Sequence, residues 1–206
     1  MEKRPLCIAT RNLNKVQEMT PALMAYWEVK CSANYAEMDA LDDIAETGDT
    51  FLANATLKAV ATSQRVGNYV LADDSGLECD ALAGAPGVFS ARYGGIPSST
   101  EKNNAKLLQE LQRVGATTPQ QRSARFRCVL ALAHGGEVIA TFEGACEGTI
   151  ALEPKGTNGF GYDPLFIPQG YARSFGQLTE KTKVNLSHRG LALKNFLEWS
   201  KANPLG

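Results

Sequence analysis

Short apolar runs, each closed by polar or glycine-containing residues, set the frame of this chain. Pro5 to Ala9 reads as a buried strand, Thr10 to Asn14 as a polar loop and Lys15 to about Tyr26 as a helix, a strand-loop-helix opening. A second apolar stretch lies near Val29 to Ser32, and the acidic segment Glu37 to Glu46 reads as a solvated loop ending at the turn Thr47-Gly48. Thr50 is expected to cap a helix running to about Val66, with Phe51, Ala55 and Leu57 to Ala61 as its apolar positions. Tyr69 to Ala72 is a short apolar run stopped by Asp73-Asp74-Ser75-Gly76, the pattern of a buried strand whose end carries polar groups into a cleft.

Ser98 and Glu101 form a capping-box pattern ahead of a helix reaching about Gln112, and Gly115 to Gln121 reads as a loop. The clearest alternation runs from Arg122 to Ala133, with Ala124, Phe126, Cys128, Leu130 and Leu132 on one face. Gly135-Gly136 marks a hairpin whose return strand is Val138 to about Ala145, so the sheet is expected to be mixed. Gly156 to Gly161 is a glycine-rich loop before the short strand Leu165 to Ile167. Leu191, Leu193, Phe196 and Leu197 give a C-terminal helix its apolar face. The pattern contains no repeat and no linker, so residues 1–206 are expected to form one domain, with one core shared by two lobes.

Charge narrows the function. Lys and Arg number 21 against 22 Asp and Glu, a net charge of -1, which provides no long-range attraction for a nucleic-acid polyanion. No apolar run approaches the roughly 20 residues that span a bilayer, so no membrane partner is expected. The 5 cysteines are odd in number and lack C-x-x-C spacing, which argues against a disulfide framework and a zinc knuckle and fits a reducing cytoplasm. With only 2 histidines, carboxylates are the available metal ligands, which favours Mg²⁺ over zinc.

Three segments carry candidate chemistry. Thr10-Arg11-Asn12-Leu13-Asn14-Lys15 lies between a strand and a helix, where free backbone N–H groups hold phosphate oxygens; the residues fit equally an Asn-rich capping turn. Asp73 and Asp74 stand at a strand mouth as metal ligand and orienting acid, or as a solvated turn, and Glu46 joins them only if the fold returns its loop there. Phe160-Gly161-Tyr162-Asp163-Pro164 offers a ring to stack on a base and an acid fixed before proline. Ser187-His188-Arg189-Gly190 offers donors at the start of the last helix, although such groups commonly serve the core, the surface or a cap.

Taken together the segments resemble the inosine triphosphate pyrophosphatase family, the non-canonical purine NTP pyrophosphatases, in its bacterial form. The stretches that carry the resemblance are Ala9 to Lys15 with Glu18, Glu46-Thr47-Gly48 through Asn54-Ala55, Lys58-Ala59, Ala72 to Leu77, Gly84 to Gly87, Ser90 to Tyr93, Gly159 to Pro164, and Lys183 with Ser187 to Gly190. This chain has Asn14 where the family commonly has glycine, and Arg11 where it has serine or glycine. Asn tolerates a left-handed backbone, so the loop shape is expected to survive.

The resemblance implies an elongated mixed α/β fold of two lobes with a central substrate cleft, shared in shape with the Maf type, and a homodimer. It implies hydrolysis of ITP, dITP and XTP to monophosphate and pyrophosphate, with Asp74 as the general base and Glu46 with Asp74 as the Mg²⁺ site. Thr10, Arg11, Asn12, Leu13, Asn14, Lys15, Lys58, Ser75 and Lys183 then resemble triphosphate contacts. Phe160, Gly161, Tyr162, Asp163, His188 and Arg189 resemble the ribose and base pocket. Two other readings compete: a Maf-type pyrophosphatase acting on pyrimidine or modified nucleotides, against which the His188-Arg189 block argues, and a non-catalytic nucleotide sensor or RNA-binding module, disfavoured by the near-neutral charge and the acids at the strand mouth.

Overall fold

Leu6, Cys7 and Ile8 are fully buried, so the first apolar run becomes an inner strand, β1 (Arg4–Ala9). The computed structural model describes residues 3–31 and 44–203. Within them follow α1 (Leu13–Leu23), β2 (Trp27–Cys31), α2 (Phe51–Val66), β3 (Tyr69–Cys79), α3 (Thr100–Arg113), β4 (Ser123–His134), β5 (Glu137–Ile150), β6 (Phe166–Pro168), α4 (Glu180–Leu186) and α5 (His188–Ala202). Ser32 and the acidic positions Glu37, Asp39, Asp42 and Asp43 of the expected loop lie outside the described residues.

The strands form one six-stranded sheet in the order β2-β1-β3-β4-β5-β6. β1 is parallel to both β2 and β3, with α1 as the crossover to β2, and β5 is antiparallel to β6. The mixed sheet expected from the Gly135-Gly136 hairpin is therefore present.

The chain divides into two compact units: Met1–Asp74 with Cys128–Gly144 and Arg189–Gly206, and Ser75–Arg127 with Ala145–His188. Each unit has a cluster of buried apolar residues. Leu6, Ile8, Met19, Leu23, Leu71, Leu130 and Phe196 anchor the first. Leu77, Leu107, Leu111, Phe126, Phe166 and Phe175 anchor the second.

Several local expectations shift for identifiable reasons. The buried residues of α2 are Phe51, Asn54, Ala55, Ala59, Thr62 and Ser63, a helical stripe from which Leu57 is excluded by spacing, so that side chain is exposed. The cap of α3 is Ser99, whose hydroxyl accepts from Lys102 N, while Ser98 donates to Ala91 O. The α4 turn, absent from the apolar pattern, is capped by Thr179 accepting from Thr182 N. Most consequential is β3, which runs to Cys79 instead of stopping at Asp73. A strand tolerates two buried acids when cations from neighbouring elements neutralise them locally, which is the case here.

Candidate active site

Pairing between β1 and β3 ends at Ala9 opposite Ala72, so Asp73 is the first β3 residue beyond the carboxyl end of β1, where the chain turns into α1. In parallel sheets that edge is where binding loops gather. The turn is built by its own side chains: Thr10 Oγ1 accepts from Asn12 N at 3.2 Å, and Asn12, the cap of α1, accepts from Asn14 N at 3.0 Å. No acidic residue occupies the first turn of α1, leaving its positive end for an anion. Asn14 lies inside the helix, and Ala83 is the non-glycine residue with positive φ among those described, so the expected left-handed role for Asn14 does not arise. Arg11, Asn12, Leu13 and Asn14 are exposed and Lys15 is half-buried.

Alternation along β3 gives the two acids different partners. Asp73 accepts from Lys15 Nζ through Oδ1, and through Oδ2 from Arg189 Nε at 3.1 Å and the Cys128 thiol at 3.0 Å. Arg189 Nη1 in turn donates to Glu18. Burial pushes the Asp73 carboxyl up, but Arg189 and Lys15, with Lys58, outweigh that and hold it well below the usual carboxylate range. Burial and then the Asp73 charge push the Cys128 thiol well up, so it stays a neutral donor.

Asp74 belongs to a second group. Lys58 Nζ donates to Glu46 Oε1 at 2.8 Å, to the carbonyl of Asp73 at 2.6 Å and to Asp74 Oδ1 at 3.1 Å. Burial would lower the Lys58 ammonium, yet Asp74 and Glu46 together raise it above its ordinary value. Burial also raises Asp74, with Glu46 adding and Lys58 opposing. Its second oxygen, Oδ2, is buried and has no hydrogen-bond partner among the described residues. No group of three or more His, Cys, Asp or Glu suited to a metal is formed among the described residues. Two carboxylates sharing one ammonium, with a buried acceptor left over, nonetheless fit the donor set of Mg²⁺, which takes one or two protein carboxylates and completes its shell with water and phosphate.

In the second unit the glycine-rich loop is fastened from beneath. Asp163 Oδ2 accepts from Phe160 N at 2.8 Å and from Lys183 Nζ at 2.6 Å, both side chains of the pair being buried. The Lys183 ammonium also lies 4.8 Å from the Phe160 ring centroid. Gly159 has a φ of +73°, and a Cβ there would stand 2.0 Å from Asp163 Oδ2, so the close approach requires glycine. Tyr162 is buried and donates to Ser90 O at 2.8 Å, and Asn104 Nδ2 donates to Gly161 O at 3.2 Å. The His188 ring stacks on Phe126 at 4.7 Å and 14°. Ser75 continues β3 directly after Asp74 and is half-buried.

The expected site residues thus gather as Lys15, Glu46, Lys58, Asp74 and Arg189 in the first unit and Phe160, Gly161, Tyr162, Asp163 and Lys183 in the second. His188 and Arg189, adjacent in sequence and both buried, fall in different units. Arg189, expected at a base pocket, has Nε and Nη1 on the carboxylates of Asp73 and Glu18. Lys58, expected on phosphate, bridges carboxylates. Asp73, expected as a metal-ligating or orienting acid, is instead a buried hub of ion pairs, and Cys128, which donates to it, and Asn104, which donates to Gly161 O, were not among the site residues expected. Glu18, also outside the expected site residues, was marked by the family resemblance, and it stands one turn from Lys15 on the same face of α1.

A mixed α/β sheet with a cation-bridged carboxylate pair, and a helix N-terminus free of acidic residues, is an arrangement suited to phosphoryl chemistry. The family is fixed by comparison: the Ham1 family matches residues 6–199, and the chain belongs to it. A protein of Halalkalibacterium halodurans named dITP/XTP pyrophosphatase is 47% identical over 193 residues, covering 93% of this chain and 96% of its own length. The dITP/XTP pyrophosphatase of Bacillus subtilis is 45% identical over 190 residues, covering 92% and 93%. Among solved structures, a HAM1 protein from Coxiella burnetii superimposes with a TM-score of 0.86 at 37% identity, covering 97% of this chain and 100% of the other.

Proposed function

We propose that this chain hydrolyses non-canonical purine nucleoside triphosphates, ITP, dITP and XTP, to the monophosphate and pyrophosphate. Water attacks the α-phosphorus, the bond from that phosphorus to the bridging oxygen breaks, and pyrophosphate leaves with the electron pair. The observation that carries the reading is Asp74, whose Oδ1 is held by Lys58 while its buried Oδ2 is left as an acceptor beside Glu46. A carboxylate fixed at one oxygen and open at the other accepts a proton from a water at a defined point, and burial raises its basicity toward that task. Glu46 and Asp74 are the residues that would hold Mg²⁺; bound there it neutralises phosphate charge and acidifies water. Lys15 and the N–H groups at the start of α1 supply positive charge for the triphosphate.

Phe160 to Asp163 with His188 form the proposed ribose and base contacts, and donors aimed at a 6-keto oxygen would be left unpaired by adenine. The names of the relatives support the pyrophosphatase reading over a Maf-type alternative. The cytoplasm is the proposed compartment: no described helix is long and apolar enough to cross a membrane, and the cysteines are free thiols, as a reducing compartment requires. A homodimer is proposed on the family resemblance.

A nucleotide panel with Mg²⁺ tests the function. ITP, dITP and XTP should exceed ATP and GTP in kcat/KM by about tenfold or more, with pyrophosphate and not orthophosphate released, and a chelator should stop turnover reversibly. Nucleotide binding without turnover would favour the sensor reading, and preference for pyrimidine nucleotides the Maf-type one.

A further inference from the structure

Lys15, Asp73, Arg189 and Glu18 form an unbroken line of alternating charge, with each contact a direct hydrogen-bonded ion pair. The line is also a ring through the fold, because its two ends, Lys15 and Glu18, stand three residues apart on α1, while Asp73 is on β3 and Arg189 on α5. Asp73 divides its oxygens, Oδ1 to Lys15 and Oδ2 to Arg189 and Cys128. The Arg189 side chain is 2% exposed, so its charge is neutralised by Asp73 and Glu18 and hardly by water.

We infer that Glu18 is a positioning residue for triphosphate binding, acting through Arg189 and Asp73 to set where the Lys15 ammonium is presented. Removing the Glu18 charge takes from the buried guanidinium one of the carboxylates that neutralise it. Arg189 then draws Asp73 more strongly, and the oxygen shared with Lys15 moves or weakens. The inference rests on the reading that Lys15 contacts the phosphate chain. No step asks Glu18 itself to touch the nucleotide.

Groups linked in such a network depart from additivity, which separates this role from a general effect on the fold. The probe is inorganic pyrophosphate with Mg²⁺, titrated calorimetrically into the full chain, so that no turnover is needed. Glu18→Gln should weaken pyrophosphate binding, and raise KM for ITP, by about tenfold, with kcat changed much less. In a Lys15→Met background the same substitution should change binding less than twofold, since the group it positions is gone. Equal losses in both backgrounds would overturn the inference, as would no loss in the Lys15 background. Absence of pyrophosphate binding by the unsubstituted chain would instead count against the reading of Lys15. Should Glu18→Gln not fold, Glu18→Asp, which keeps the charge but shortens its reach, is carried through the same cycle with the same pair of outcomes.

Discussion

Asp74→Asn should reduce kcat by about 10² to 10⁴ while leaving the metal-free chain at least as stable as before. The loss of rate follows from removing the one buried carboxylate oxygen that has no partner among the described residues. The gain or neutrality in stability follows from linkage. Folding raises the Asp74 pKa, chiefly by burial, so ionisation works against the folded state. That penalty is absent below the ordinary carboxylate value of about 3.9, develops as pH rises through the higher folded value, and is complete above it. Asparagine never ionises and escapes the penalty, while Lys58 keeps Glu46 and the Asp73 carbonyl. Urea unfolding at neutral pH and steady-state kinetics on ITP check both halves. A variant that keeps substantial activity would remove Asp74 from its role, and one that loses much stability would show the residue to be a structural anchor.

The adjacent residue should behave in the opposite way. Asp73→Asn is expected to cost about 3–5 kcal/mol, because it takes one carboxylate from the buried Arg189 and leaves Lys15 without the Asp73 carboxylate. Here folding lowers the pKa: burial raises it, and Arg189, Lys15 and Lys58 more than compensate. The stabilisation is therefore complete above about pH 3.9 and is lost as pH falls through the much lower folded value. Urea denaturation across acid pH measures it: the unsubstituted chain should lose stability steeply below pH 4, and the gap to the variant should close there. A cost below about 1 kcal/mol at neutral pH would mean that the hub is replaceable.

Much of this fold is legible from periodicity because the governing signals are local. Thr50 caps α2 through its own hydroxyl, Gly135-Gly136 reverses β4 into β5, and the apolar residues of β1 bury wherever the strand lies. The length of β3 is not local. Asp73 and Asp74 look like a stop signal until cations arrive from α1, α2 and α5, and those contacts span 58, 15 to 16 and 116 positions of sequence. The same reasoning explains Arg189. Its neighbour His188 and its place at a helix start suggest a donor for a ligand, and only the tertiary arrangement brings it to two carboxylates. Motif resemblance singled out Asp74 over Asp73 for chemistry, whereas the ion pairs that tie Asp73 to Lys15 and Arg189 appear only in the tertiary arrangement.

The central claim is attack of water at the α-phosphorus, and hydrolysis of ITP in water enriched in oxygen-18 tests it most directly. With products separated and weighed by mass spectrometry, one heavy oxygen is predicted in the nucleoside monophosphate and none in the pyrophosphate. Label in the pyrophosphate would place the attack on the β-phosphorus, and release of labelled orthophosphate with a nucleoside diphosphate would contradict the account altogether.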